Sequence, residues 1–288
     1  MAEKILLQTT IPPTADDWSI ERFSKLSALL RSQRDPSGNA LYEVVMRDRD
    51  PPGSPDPILS SIDRSDFDQL WLFAVDTGDG LTEADCEAIS RFRRNGGGLL
   101  VTRDHMDLGS SVCSLGGVGR AHYFHSSHQD PDTSRHRRDD PFTTTIDWPN
   151  FHSGANGDFQ EVEVVMPSHP LAADNGSPTG SIRYLPSHPH EGGIGAPEGE
   201  DARVILKGRS KVTGTEFNIA VAFEPGSHGG PAVAESTFHH FADYNWDPDS
   251  GCPSFVTEAP GSGLQEHPEA IGSTHRYMLN LAAWLSAA

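Results

Sequence analysis

The sequence predicts an α/β fold, a mostly parallel sheet with helices on both faces, and three observations carry that expectation. "QLWLFAV" (69–75) and "LLVT" (99–102) are apolar on consecutive positions, as strands covered on both faces must be. Between them lies a stretch with helical periodicity and both end signals. Ahead of them, "KILLQTT" (4–10) and "LYEVVMRD" (41–48) flank another helical pattern, so the order is strand, helix, strand, helix, strand. That alternation predicts parallel pairing through right-handed crossovers.

Taken in order, "KILLQTT" is a first strand that ends in the Pro- and Asp-rich loop "IPPTADDW". In "SIERFSKLSALLRSQ", Ile20, Phe23, Leu26 and Leu30 recur at helical spacing, and Ser19 is the expected N-cap. After the second strand, "DPPGSPDP" is a connection. Thr82 and Asp85 have capping-box spacing, and Cys86, Ile89 and Phe92 make one stripe. Arg93 and Arg94 suit that helix's C-terminus, and Gly96 to Gly98 end it. From about 106 to 160 the periodicity dissolves, which predicts a long His-rich insertion. "EVEVVMP" (161–167) resumes as a strand, and "ARVILKGRS" with "EFNIAVAFE" forms a hairpin turning at "KVTG". "GGPAVAESTF" (229–238) is the last strand. "EAIGSTHRYMLNLAAWLSAA" closes as a helix with Ile271, His275, Met278, Ala282 and Leu285 on one side. No repeat and no second domain is visible, so 1–288 is expected to be a single domain.

The totals narrow the partners. A formal net charge of −19 disfavours phosphate backbones and anionic membranes. No apolar run approaches the ~20 residues of a membrane span. "MAEKILLQTT" enters a strand at once, which argues against a signal peptide. Cys86, Cys113 and Cys252 show no CxxC spacing and make an odd count. A reduced, cytoplasmic setting is expected, with a small molecule as ligand, no nucleic acid, no membrane, and homo-oligomerisation left open.

Ligands on such sheets bind beyond the carboxyl ends of the strands. Those ends supply Thr9 and Thr10, Asp76 to Asp79, Arg103 to His105, and His239. His239 is preferred to His240 because alternation sends neighbours to opposite sides. A neutral imidazole accepts a proton near pH 7, and a carboxylate such as Asp243 can fix its tautomer. Asp104 and His105 offer a base, a nucleophile or a partner for a hydroxyl group, and Arg103 can hold an anion. Asp76 lines the same cleft. For each, a purely structural part in a turn or core is the competing reading.

A metal is the second possibility. His122, His125 and His128 recur every three residues, followed by Asp130, Asp132 and His136. The segment is polar and broken by proline, so a solvated loop is the favoured reading there. A site of His105, His239, His240 and Asp243 is the alternative for a divalent ion. "SLGGVGRA" (114–121) reads as a turn rather than a nucleotide cradle.

In "DQLWLFAVDTGDGLTEADCEAISRFRRNGGGLLVTRDH", "GANGDF", "SHPL" and "STFHH" the chain resembles the flavodoxin-like class I glutamine amidotransferases, and among them the ThuA-like (trehalose-utilisation) group. The resemblance covers most of the chain outside 106–150. It implies an "HP" dipeptide after a later strand, here His169-Pro170, and a late histidine at Phe238-His239. It also implies a nucleophilic cysteine on a tight turn, where this chain has "TRDHM" and no cysteine, so glutaminase activity is not expected. The glutamate of the family's His-Pro-Glu pattern is replaced by Phe241. What the resemblance leaves is acid–base chemistry of hydrolase or isomerase type, metal-assisted or not, on a small polar or carbohydrate-like substrate. His239, His105 and Asp104 are the catalytic candidates; Asp76, Arg103, His240 and Asp243 are the supporting, substrate-binding ones. A noncatalytic binding or oligomerisation module is the alternative.

Overall fold

The computed structural model describes residues 2–50 and 52–286. Eight strands share one sheet: β1 (Glu3–Thr9), β2 (Tyr42–Arg47), β3 (Gln69–Phe73), β4 (Gly98–Thr102), β5 (Glu163–Val164), β6 (Ala202–Arg209), β7 (Glu216–Phe223) and β8 (Ala232–Glu235). Their spatial order is β2-β1-β3-β4-β8-β7-β6-β5. The first five in that order are mutually parallel, and the last three pair antiparallel with their neighbours. The expected parallel α/β sheet is therefore present, extended at one edge by an antiparallel hairpin.

Alternation along the central strands feeds two cores. Leu6, Leu70, Leu72, Leu99 and Val101 face helix α2 (Glu83–Arg94). Ile5, Leu7, Trp71, Phe73 and Leu100 face helices α1 (Ser24–Arg31) and α3 (Pro268–Leu285). Both faces of β3 and β4 are fully buried, which is why their sequences read as unbroken apolar runs. The capping box of α2 forms as expected: Asp85 N–H donates to Thr82 Oγ1, and Thr82 N–H to the Asp85 carboxylate.

Several expectations are corrected. Ser19 makes no cap; a 3-10 turn, Ile20–Phe23, precedes α1, and the Asp243 carboxylate caps the helix instead. It accepts from the backbone N–H of Ser24 at 3.0 Å and of Lys25 at 2.8 Å. The strand expected over 161–167 is split, because Phe159–Glu161 pairs with Tyr184–Pro186 while only Glu163–Val164 joins the main sheet. Pro167 has no N–H with which to extend that edge. On α3 the buried stripe runs through Ala270, Thr274, Tyr277, Leu281 and Leu285, leaving Ile271 and His275 half-buried at its margin. Finally, Cys86 and Cys113 form a disulfide with Cα atoms 6.2 Å apart; Cys252 alone is free. The cysteine-based argument for a reducing compartment falls with it. No helix among the described residues is long and apolar enough to cross a membrane.

His122 sits fully buried in a short strand paired with Gly193–Ile194, and neither ring nitrogen has a hydrogen-bond partner. Burial, aided by the Arg103 charge, drives its pKa down from 6.5 to about 3. The unfolded chain therefore takes up this proton first. Stability is intact above pH 6.5 and falls as the pH drops from there toward 3, by about 2 kcal/mol at pH 5 from this group. His122→Leu is expected to remove that share of the acid limb. Denaturation midpoints at pH 7.5 and 5 check it; an equal acid loss in both proteins would refute it.

Candidate functional site

The carboxyl ends of β1, β3, β4 and β8 open into one cavity of about 300 Å³. Trp18 comes from the loop after β1, Val75 and Thr77 from that after β3, Asp104 and His105 from that after β4, and His239 from that after β8. This is the location the strand-end rule predicts. Beta-4 and β8 are neighbours, so their loops join directly. Phe238 N–H donates to the Arg103 carbonyl at 2.8 Å, and Thr237 Oγ1 to Asp104 Oδ1 at 3.1 Å.

His239 and His240 lie in a 3-10 turn, Phe238–His240, that Thr237 caps by accepting from His239 N–H. They point apart, as alternation suggested, although the strand has already ended. His239 enters the cavity. His240 turns into the interior, facing the Glu235 carboxylate at 3.1 Å and Glu191 at 3.5 Å. Burial works against its charge, but these two carboxylates prevail and hold it up at about 9.

The partner that sequence reasoning missed is His188, in "LPSHPH" just after the strand Tyr184–Pro186. The His-Pro pair that reaches the cavity is His188-Pro189. His169-Pro170 lies elsewhere, with His169 capping a 3-10 turn and facing Glu224. Gly192 lets the His188 segment pack on the β4 loop: a Cβ there would lie 2.4 Å from the Asp104 carbonyl oxygen. The one visible signal was a histidine on either side of a proline, immediately beyond a strand.

Asp104, His188 and His239 place one ligand atom each within 4.8 Å of one another, all buried. His188 Nε2 is 3.4 Å from Asp104 Oδ1, His239 Nε2 is 3.8 Å from Asp104 Oδ2, and the two imidazoles stack at 3.5 Å. The far side of each ring is fixed. Asn245 Nδ2 donates to Asn156 Oδ1 and to the Ser187 carbonyl, so its own Oδ1 must face His239. His239 Nδ1–H donates to that oxygen at 2.8 Å, and His188 Nδ1–H donates to Asn156 Oδ1 at 2.9 Å. With both Nδ1 atoms carrying hydrogen, neutral rings present Nε2 lone pairs to the carboxylate.

The rings are neutral. Burial pulls His239 well below its usual range and His188 to about 4, against the pull of the Asp104 charge. Burial opposes the Asp104 charge, yet the carboxyl is held well below its ordinary value, with His105 Nδ1 beside it at 3.0 Å. Two lone pairs and an anion thus converge with no hydrogen between them, and His188 Nε2 is a buried atom with no hydrogen-bond partner. Two imidazoles, a carboxylate and open space fit a divalent transition-metal ion. The fixed Nδ1 hydrogens are the outer contacts that orient metal-binding histidines.

The remaining candidates divide. His105 borders the cavity with Nδ1 3.0 Å from Asp104 Oδ2. Arg103 is corrected: it points behind the sheet, is fully buried, donates to the Tyr123 and Met106 carbonyls and lies 4.4 Å over the Phe124 ring. Its guanidinium holds the insertion rather than an anion. Asp76 is also turned away, accepting from Gly78 N–H within its own turn and from Ser111 Oγ of the loop after β4. Asp243 serves α1, and Asn245 takes the tautomer-fixing part expected of it. The histidines of the insertion do not converge. His125 donates to the Trp148 carbonyl, His128 to the Arg120 carbonyl, and His136 stacks on Trp148 at 3.7 Å.

No protein-family model matches the chain, and neither does any curated protein. Among solved structures, a ThuA-like protein from Parabacteroides merdae ATCC 43184 is similar at 14% identity and TM-score 0.54, over 99% of this chain and 90% of that one. The mmIFT52 N-terminal domain follows at 11% identity and TM-score 0.49, over 99% of this chain and 98% of that one. The glutaminase domain of Trypanosoma brucei CTPS, with bound acivicin, has 14% identity and TM-score 0.48, over 98% of this chain and 94% of that one. Only the first carries an argument, and what it shows is a shared α/β fold.

Proposed function

We propose that this chain is a one-domain, metal-dependent hydrolase acting on a small polar, carbohydrate-like substrate. The observation that carries the proposal is the convergence of two Nε2 lone pairs on a buried carboxylate, each ring locked by an asparagine on its other side. Asp104, His188 and His239, all three bordering the cavity, would hold the ion. The chemistry a divalent ion would supply there is a lowered pKa for bound water and polarisation of a carbonyl oxygen. Asn156, Asn245 and Thr237 keep the ligands oriented. His105, whose Nδ1–H is held by Asp104, has Nε2 available to take a proton and return it to a leaving group. Trp18, Leu108 and Val256 keep the site apolar and limit water.

None of the three cysteines borders the cavity, which supports a reading without thiolate chemistry. Titration calorimetry of chelator-treated protein with zinc and with manganese tests the proposal. One ion per chain is expected. A chain that takes up neither ion would sink it.

A further inference from the structure

The walls of the cavity hold no lysine or arginine among the described residues, but three carboxylates: Asp17, Asp104 and Glu258. The arginines nearby are committed elsewhere. Arg103 is turned behind the sheet, and Arg22 donates to the carbonyls of Asp17, Ala15 and Gly251. Asp104 belongs to the ion site, which leaves Asp17 and Glu258 to face a ligand. Asp17 uses Oδ1 to accept from Trp18 N–H, and Glu258 Oε1 lies 3.3 Å from His190 Nε2. Phe255, 58% exposed, stands at the mouth beside Val256 and offers an apolar face. The orphaned His188 Nε2 is the separate sign that something binds here.

We infer that the cavity accepts ligands that are uncharged or carry an amine, and turns away phosphorylated and carboxylated ones. This rests on the hydrolase reading above and assigns its substrate class. An anionic group recognised by a protein is met by a fork of guanidinium or ammonium donors. Here it would meet two carboxylates in a partly enclosed space where charge is poorly screened. An ammonium or a ring hydroxyl finds acceptors in Asp17 and Glu258, while the flat face of the ring lies against Phe255. A volume of about 300 Å³ corresponds to roughly ten water molecules, room for one six-membered ring with short substituents.

Ion-anchored probes test this on the full chain. Zinc titration comes first, so that a chain unable to bind zinc fails the hydrolase reading, and this inference with it, before any probe is added. The zinc-loaded protein is then titrated with benzohydroxamic acid and its para-aminomethyl and para-carboxy derivatives, which share one chelating head. The neutral and cationic probes are expected to bind tighter than the carboxylate by about tenfold or more. Asp17→Asn with Glu258→Gln should shrink that gap while zinc uptake stays unchanged. Equal or tighter binding of the carboxylate probe, or failure of all three on zinc-loaded protein, overturns the inference and leaves the metal site standing.

Discussion

Asp104→Asn is expected to weaken zinc binding by about 100-fold or more in an apoprotein that still folds. The substitution keeps shape and the bond from Thr237 Oγ1, since the amide oxygen can still accept there. It removes the only carboxylate among the described residues within reach of both His188 and His239. The amide nitrogen, taking the Oδ2 position, also turns an N–H toward the His239 Nε2 lone pair, into the space a cation would occupy. Because the fold holds the Asp104 carboxyl well below its ordinary value, its charge contributes stability, and the apoprotein is expected to stay folded but to melt below the parent. Zinc at a hundred times the parent's dissociation constant should stabilise the parent by about 2.7 kcal/mol and the variant by about 0.4 kcal/mol or less. A variant that binds zinc like the parent would remove Asp104 from the site. One that loses zinc only because it unfolds would already be unfolded at the titration temperature before metal is added.

The parts of the molecule legible in the sequence are those where local pattern and tertiary burial agree. Beta-3, α2 and β4 are spelled out by continuous apolar runs, a capping box and a glycine stop, and all three appear as read. Strand ends then name Asp104, His105 and His239, because a parallel sheet gathers its carboxyl termini at one edge. What stayed hidden depends on contacts between distant segments. His188 arrives from a loop with no periodicity, and its place is set by Gly192 against the β4 loop. Asp243, the nearest carboxylate to His239 downstream, is drawn to the N-terminus of α1, which starts four residues later than Ser19 suggested. The alternation that separates His239 from His240 also separates Asp104 from Arg103, so the arginine lies behind the sheet while the aspartate faces the cavity.

Removing the disulfide with Cys86→Ser and Cys113→Ser together is expected to cost about 3.5 kcal/mol, the loop-closure entropy for 27 residues of separation. The bond ties the first turn of α2 to the loop that follows His105 and Leu108, so it shortens the unfolded chain across the border of the cavity. That loop keeps other anchors. Gly109 N–H donates to the Asp76 carbonyl at 2.6 Å, Ser111 Oγ to the Asp76 carboxylate at 2.9 Å, and Arg93 to the Gly116 carbonyl. The double variant should therefore unfold at lower denaturant yet bind zinc like the parent, separating stability from the site. Dithiothreitol should reproduce the shift in the parent and add nothing to the variant. A thiol count on denatured, unreduced protein should give one, from Cys252; three thiols and no response to reductant would mean that the pair is open in solution.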